Sequence, residues 1–480
     1  MDWMSPMDAS FLHIEGPMNP MHIGGVSIFE GPAPPFERLE QMVAGKLGMV
    51  PRYRQKVRFV PLGMGRPVWV DDPHFNLSYH LRHTALPPPG SDDQLRRTAA
   101  RIFAQHLDRA KPLWEIWMVE GVRKNRWALL SKVHHCMVDG VSATDLMTVM
   151  FEGGAPATAT PEPEWEPEPE PNGLELLART LTHRALIPSE QLRSVRAAVR
   201  APLHTLGQAR DVTRGVLSTA TTVRPPVRSS LTGPVGPHRA WSWAHLRLSD
   251  VKAVRASLGG TVNDVVLAVV AGGLRELLAS RGEPVADRTI RALVPVSVRT
   301  PEEKGVYNNR VSAMFADLPV GMGDPVARLA AVRTQMDGLK QSKQAVAGDV
   351  LTSMSGFAPA MLLALGSRIA ARSGSLGIQT GVTNVPGPQA PLHTLDRRLL
   401  ESYPYVPVIG HVRNSIAIFS YDGGLYFGVT GDYESSSDIG VLTAGVERAM
   451  EELVKSSAGS PASPARPRAR AARKSARSSP

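Results

Sequence analysis

Apolar positions along the chain recur at two periods, and the mixture of the two appears twice. In the first part, Val26 to Phe29, Val68 to Val70, Trp117 to Glu120 and Trp127 to Val133 are apolar runs of strand length. Phe36 to Met49, with Leu39, Met42, Val43 and Leu47 at helical spacing, predicts an amphipathic helix, as does Gln94 to His106. Pro87-Pro88-Pro89-Gly90 predicts a loop, because proline fixes φ and removes a donor. Pro112-Leu113-Trp114 leads into the strand at Trp117; its default reading is core packing, with the lining of a substrate channel as the alternative. In the second part, Leu246 to Leu258 and Thr261 to Leu278 predict helices and Ile290 to Val298 a strand. Val408 to Phe419 with Leu425 to Val429 predicts a hairpin around Tyr421-Asp422-Gly423-Gly424.

Two α+β halves therefore flank a stretch of different character. Residues 1–152 form an N-terminal domain. Residues 153–173 are an Ala/Thr/Pro/Glu linker in which Glu162, Glu164, Glu166, Glu168 and Glu170 alternate with other residues, many of them proline, a composition that favours an extended chain. Residues 174–230 are a basic helical crossover, interrupted by Pro188 and Pro202, that is either a solvated helix pair or a surface that leans on anionic lipid. Residues 231–457 form the C-terminal domain, and residues 458–480 are a basic tail whose composition predicts disorder.

A length of 480 residues at 42% hydrophobic composition is enough for two cores. The one cysteine, Cys136, rules out an intramolecular disulfide and fits a reducing compartment. No charged n-region precedes an apolar stretch at the N-terminus, so a signal peptide is not expected. A transmembrane helix is not expected either, since the apolar segment Phe357 to Leu365 is short and contains Pro359. The net charge is +10, but the tail's Arg466, Arg468, Arg470, Arg473, Lys474 and Arg477 supply more than half of it. With aromatics at 6% and no basic stripe in the body, nucleic-acid binding is not expected, whereas a polybasic tail suits an anionic membrane surface. These features predict a cytoplasmic protein.

The candidate chemistry lies where the run Trp127 to Val133 ends, in His134-His135-Cys136-Met137-Val138-Asp139-Gly140. Ser142-Ala143-Thr144-Asp145 then resembles a capping box opening a helix over Leu146 to Phe151. Neighbouring strand residues point to opposite faces, so one histidine should be structural unless the strand has already broken. Two histidines and an aspartate are acceptable zinc ligands, but the divergence of adjacent strand residues argues against a shared metal. Cys136 is the rival nucleophile, and in an extended chain it points away from His135.

The spacing His134-His135-x-x-x-Asp139-Gly140 resembles the HHxxxDG motif of the CoA-dependent acyltransferase superfamily, and within it the bacterial wax ester synthase/diacylglycerol acyltransferases. Further matches run along most of the chain: Ser5 to Phe11, Pro20 to Gly24, Pro112 to Glu115, Thr261 to Val265, Pro295 to Arg299 and Thr383 to Pro388. The resemblance implies two chloramphenicol-acetyltransferase-like domains with a substrate channel between them. It implies transfer of an acyl group from long-chain acyl-CoA, as substrate rather than cofactor, to diacylglycerol, with wax esters from long-chain alcohols as a second product. His135 is then the general base, with direct transfer and no acyl-enzyme, and His134 supports it. Asp139 is structural, with Arg299 as its candidate partner, and Gly140 shapes the loop. Asn263 and Asp264 match the family's Asn-Asp motif near the substrate; Asn263 either donates to the acyl carbonyl or caps a helix. Where the family commonly has Gly-Asn, this chain has Asn308-Asn309, a departure that bears on the shape of the acceptor pocket. No metal or tightly bound cofactor is implied. Peripheral contact with the inner face of the membrane or with lipid droplets is expected. Two alternatives stand beside this reading: an acyltransferase of the same fold acting on a polyketide or glycolipid hydroxyl, and a lipid-surface binding protein without activity.

Overall fold

The computed structural model describes residues 2–137, 150–151, 165–186, 229–297, 311–341 and 377–458. Asp139, Gly140, Arg299, Asn308, the helix start at Ser142, the first part of the acidic linker, most of the basic crossover and the tail lie outside these residues.

Two six-stranded sheets carry the fold. The first runs in the spatial order β12 (His393–Thr394), β13 (Arg397–Tyr405), β2 (His22–Glu30), β7 (Arg126–His134), β6 (Trp114–Val122), β5 (Leu81–Ala85). The second runs β10 (Val311–Leu318), β9 (Ile290–Ser297), β11 (Thr380–Pro386), β14 (Asn414–Tyr421), β15 (Gly424–Asp432), β8 (Arg239–Arg247). A small sheet of β1 (Asp2–Trp3), β4 (Val68–Asp71) and β3 (Gln55–Arg58) stands apart. Each large sheet is mixed: β5 pairs parallel to β6 in the first, and β11 runs parallel to both β9 and β14 in the second.

Chain order and sheet membership part company at β12 and β13. These strands come from the second half of the sequence, yet they complete the first sheet, with Tyr403 opposite Val26 and Tyr405 opposite Gly24. Tyr403, Tyr405, Tyr421, Tyr426 and Trp241 accordingly belong to the first hydrophobic core. The sheets approach so closely that a Cβ on Gly428 of β15 would lie 1.6 Å from the Pro404 carbonyl of β13. The second core surrounds the helix Val262–Ser280, which is buried from Asp264 to Leu274 and packs against the C-terminal helix Ile439–Ala458.

Local chemistry sets the boundaries. The helix Asp92–Ala104 begins with a capping box between Ser91 and Gln94, and Val262–Ser280 with one between Thr261 and Asp264. At the hairpin between β14 and β15, Asp422 and Gly423 both have positive φ, the geometry that a two-residue turn needs to match strand twist. Three expected boundaries move. The helix from Phe36 stops at Ala44, ahead of Gly45, and gives way to a 3₁₀ turn at Leu47–Met49. Leu246 and Arg247 are the end of β8, with the helix starting at Leu248. The stretch from Val408 to Arg413 precedes β14 instead of belonging to it. No single helix among the described residues is long and apolar enough to cross a membrane.

Lys132 of β7 is buried, and its ammonium fastens the end of the helix Asp92–Ala104 to the sheet. It donates to the carbonyls of Ile102 (3.3 Å) and Gln105 (2.9 Å) and lies 3.5 Å from the buried Glu115 carboxylate. His22 of β2 takes the intervening carbonyl of Phe103 at 2.7 Å. Carbonyls that a helix end leaves without intrahelical donors are thus satisfied by two strand side chains. Replacing Lys132 with Ala leaves the buried Glu115 with only the more distant Arg82, at 4.0 Å, as its cation, and urea unfolding should show a loss of about 3 kcal/mol; a loss below about 0.5 kcal/mol would show that the pair does not hold this helix. Gly428→Ala should be at least as damaging, since Pro404 is main chain and cannot yield cheaply.

Candidate active site

β7 ends at His134, and His135–Met137 form a 3₁₀ turn, so the strand breaks between the two histidines. The His134 main-chain N–H donates to Leu113 (2.9 Å) and the His135 N–H to Met21 (2.8 Å), which anchors the break to the segment before Trp114 and to the start of β2. The side chains then part. His134 is buried beside His22 and Lys132; its Nδ1 accepts the Cys136 N–H at 3.1 Å, so the neutral ring carries its proton on Nε2, which lies 3.5 Å from Glu15. His135 lies over the ring of Phe11 in the first helix, Pro6–Ile14, with centroids 3.8 Å apart and planes at 18°.

The two rings have different electrostatic settings. Burial, with a contribution from neighbouring His134, pushes the His135 pKa down to about 4, while its own main chain favours the proton slightly. Its Nδ1 is buried with no hydrogen-bond partner among the described residues. At neutral pH this is an uncharged imidazole, able to accept a proton from a hydroxyl group. Cys136 is buried, and burial together with the charges of Asp8 and Glu15 raises its thiol well above the usual range, so it is a poor nucleophile.

Glu15 organises this region and was not singled out in the sequence. It caps the C-terminal end of the first helix with a side chain only 6% exposed. Oε1 accepts the Met21 N–H at 3.0 Å, and Oε2 accepts from Arg109 Nε at 2.9 Å. His106 Nδ1 lies 3.6 Å away. Burial alone would raise this carboxyl's pKa, but contacts with His106, His134 and the Met21 N–H override it, and the group is held far below the usual carboxylate range. Arg109 also donates to Leu12 in the last turn of the helix. Met21 passes the constraint on, because its carbonyl is the acceptor for His135 N–H. The available signal was the charge itself: an acid just past an apolar helix faces an unfavourable dipole and calls for a specific cationic partner.

The remaining expected site residues lie in the second half. The N-cap of Val262–Ser280 is Thr261, so the capping alternative for Asn263 is overturned: the Thr261 hydroxyl already takes the Asp264 N–H at 3.2 Å. Asp264 is fully buried and its carboxylate accepts the Thr261 N–H at 2.7 Å, which places it in the helix start. Asn263 accepts from the side-chain amide of Asn384 on β11 at 3.4 Å and keeps its own amide N–H groups for other partners. Neither shares a hydrogen bond with His135. Among the described residues no three His, Cys, Asp or Glu side chains form a metal-binding group.

The family model of the wax ester synthase/diacylglycerol acyltransferase catalytic domain matches residues 4–266, and that of the corresponding C-terminal domain matches residues 307–454. The chain belongs to this family. A protein of Mycobacterium tuberculosis H37Rv named as a probable diacylglycerol O-acyltransferase is 35% identical over 456 residues, covering 95% of this chain and 96% of the relative. Among solved structures, the wax ester synthase/diacylglycerol acyltransferase of Marinobacter aquaeolei VT8 superposes with a TM-score of 0.65 at 24% identity, covering 95% of this chain and all of that one. The first condensation domain of the calcium-dependent antibiotic synthetase superposes at 0.56 with 16% identity, covering 94% and 96%. The mixed α+β fold is therefore that of the acyltransferase and condensation-domain group, as the sequence leads one to expect, and the chain is an acyltransferase.

The buried groups make the site sensitive to acid in a defined direction. His22, His80 and His135 all titrate below 6.5 in the fold, each chiefly because burial disfavours the charged ring. The unfolded chain therefore binds more protons, and stability should fall as pH drops through 6.5 towards 4. Urea midpoints measured from pH 7.5 to 5 should decline steadily, and a flat profile would contradict these assignments. Glu15→Gln keeps the side chain's shape but removes the charge that His106, His134 and Arg109 face. It should lower kcat roughly 10²-fold by displacing the histidine turn, with KM nearly unchanged; a pure stability loss with wild-type kcat would show that Glu15 only supports the fold.

Proposed function

We propose that this protein transfers a long-chain acyl group from acyl-CoA to the hydroxyl of diacylglycerol, forming triacylglycerol, with long-chain alcohols as second acceptors that yield wax esters. The observation that carries the reading is the uncharged His135 at the break of β7, on a turn fixed by Glu15 and Met21, in a chain of this family. The family's relatives named for diacylglycerol support the choice of acceptor.

In this mechanism His135 takes the proton as the hydroxyl oxygen attacks the thioester carbonyl. The C–O bond forms, the C–S bond breaks, and the imidazolium returns the proton to the departing CoA sulfur, so no acyl-enzyme is formed. His134 holds the turn from the core side. Asn263, with Asn384 fixing its oxygen, presents its N–H groups to the acyl carbonyl. The substrates meet in a channel between the two large sheets, the first of which includes β12 and β13. CoA enters and leaves as substrate, and no further cofactor takes part.

Contact with a lipid surface fits the distribution of exposed apolar groups. Leu62 in the 3₁₀ turn Pro61–Gly63 and Leu174 in the helix Gly173–Leu186 are 81% and 80% exposed, with Phe59 and Leu181 also exposed. Pro61 lies against Gly173, which makes the turn and the helix neighbours, and Phe59 faces His13 of the helix that carries Phe11. Basic Arg179 is exposed on the same helix. Such a face inserts readily into the headgroup region, and the basic tail adds attraction to anionic lipid.

Three outcomes test the reading. Product analysis after incubation with palmitoyl-CoA and equal diacylglycerol and hexadecanol should show triacylglycerol as the main ester; ester on a polyketide or glycolipid hydroxyl alone would move the protein to another branch of the fold, and vesicle binding without CoA release would make it a binding protein. The acid limb of kcat/KM should lie near pH 4, where His135 gains its proton; a limb at 6.5 would contradict the buried setting of the ring. Leu62→Asp with Leu174→Asp should reduce sedimentation with anionic vesicles by about tenfold, equivalent to 1.4 kcal/mol, while turnover of dispersed short-chain substrates stays within twofold. Unchanged sedimentation would remove this face from the lipid contact.

A further inference from the structure

A cleft of about 1180 Å³ opens between the helix Asp92–Ala104 on one side and β8 with the start of the C-terminal helix on the other. Neither His134, His135 nor Asn263 lines it. Its chemistry is cationic and aromatic. Arg239, at its base, is only 3% exposed, and its guanidinium donates to the carbonyls of Gly236 (2.7 Å), His238 (2.8 Å) and Met18. Among the described residues its one side-chain hydrogen-bond partner is the Tyr405 hydroxyl, Asp432 acts on it through charge alone, and its buried Nε has no acceptor. Asp432 attracts it from farther off, but that carboxylate is engaged by the Gly236 N–H and by Ser435. A buried cation held by neutral carbonyls and the Tyr405 hydroxyl, with no carboxylate in contact, is poorly compensated and favours an anion nearby.

The walls extend the pattern. Arg96 and Arg101 line the cleft from the helix with no ion pair among the described residues, whereas Arg97 is taken by Asp93 at 2.6 Å. The Arg96 guanidinium lies 5.1 Å from the ring centre of Trp243, which in turn stacks on Tyr403 at 4.6 Å. The acidic groups facing the cleft are Asp93, already paired, and Glu447, which accepts the His245 N–H. Arginines that lack carboxylates, set against aromatic faces, suit phosphates joined to a planar base. The last turn of the helix connects this cleft with the catalytic strand: Ala104 and Gln105 line the cleft, while Ile102, Phe103 and Gln105 are held by Lys132 and His22 beside His134.

We infer that this cleft binds the nucleotide end of the acyl donor, an adenosine 3′,5′-diphosphate moiety, with Arg239, Arg96 and Arg101 on its phosphates and the Trp243–Tyr403 stack beside its base. The inference rests on the acyl-CoA reading above, and binding and turnover separate the two. The double variant Arg96→Ala/Arg101→Ala changes two surface arginines outside the catalytic turn. In calorimetry, adenosine 3′,5′-bisphosphate should bind the wild type and lose at least tenfold in affinity in the variant. The KM for octanoyl-CoA should rise by a similar factor at unchanged kcat, while turnover of octanoyl-N-acetylcysteamine, a thioester without the nucleotide, stays at the wild-type rate. Equal KM for octanoyl-CoA in both proteins would overturn the assignment. Inorganic phosphate or phosphatidylglycerol vesicles competing as well as the nucleotide would also overturn it, in favour of an unselective anion site. Nucleotide binding that depends on these arginines, in a protein that turns over no thioester, would keep the cleft and remove the acyltransferase reading.

Discussion

Glu15 follows the last turn of the first helix, where the helix's own carbonyl dipoles disfavour a negative charge, and yet its carboxylate is buried and ionised. What makes that tolerable is a set of donors drawn from separate parts of the chain: Met21, Arg109, His106 and His134. Each contact constrains something the active region needs. Arg109 and Leu12 fix the helix that carries Phe11, and Phe11 covers one face of His135. Met21 carries the constraint to the His135 main chain. His134 is held in the core, so the strand must break where it does. A neutral, well-packed imidazole in a turn is therefore the product of one buried anion with several partners, more than of the histidine pair alone.

The same economy of arrangement runs through the scaffold. The helix Asp92–Ala104 would end with unsatisfied carbonyls, but Lys132 and His22 satisfy them from the sheet. This places two cationic or ring-bearing side chains on the face that also holds His134, and it explains why a lysine is fully buried in β7. On the far side the same helix turns its arginines towards β8. Strand β13 then binds the halves by completing the first sheet with residues from the second part of the chain, against a β15 whose Gly428 permits close approach.

Much of this was legible in the residues, for identifiable reasons. The run from Trp127 to Leu130 is apolar because β7 is covered on both faces, and the strand stops where the histidines begin. Alternation required that His134 and His135 diverge unless the strand had broken; the strand does break between them, and their side chains part all the same. The hairpin at Asp422-Gly423 follows from turn chemistry. What stayed hidden depends on contacts between residues far apart in sequence. Helical spacing around Leu246 cannot report that a strand partner in β15 claims it. Asn263 is the local exception: the Thr261–Asp264 capping box that displaces it from the cap lies within the same four residues. Glu15 and Arg109 are separated by 94 positions, and neither belongs to a chemical motif by itself. The membership of β13 in the first sheet is a fact of topology that periodicity does not carry.

The central claim is that His135 is the base for direct transfer to a hydroxyl. The most direct test is the rate of CoA thiol release from palmitoyl-CoA, with and without diacylglycerol, in the wild type, His135→Ala and His134→Ala, with the folded state of each variant checked by its urea midpoint. Release that requires the acceptor, that falls by about 10²- to 10⁴-fold in a folded His135→Ala protein, and that leaves no acyl group on the protein is the predicted result. Wild-type release from His135→Ala, or an acyl-protein that accumulates when the acceptor is withheld, would contradict the account.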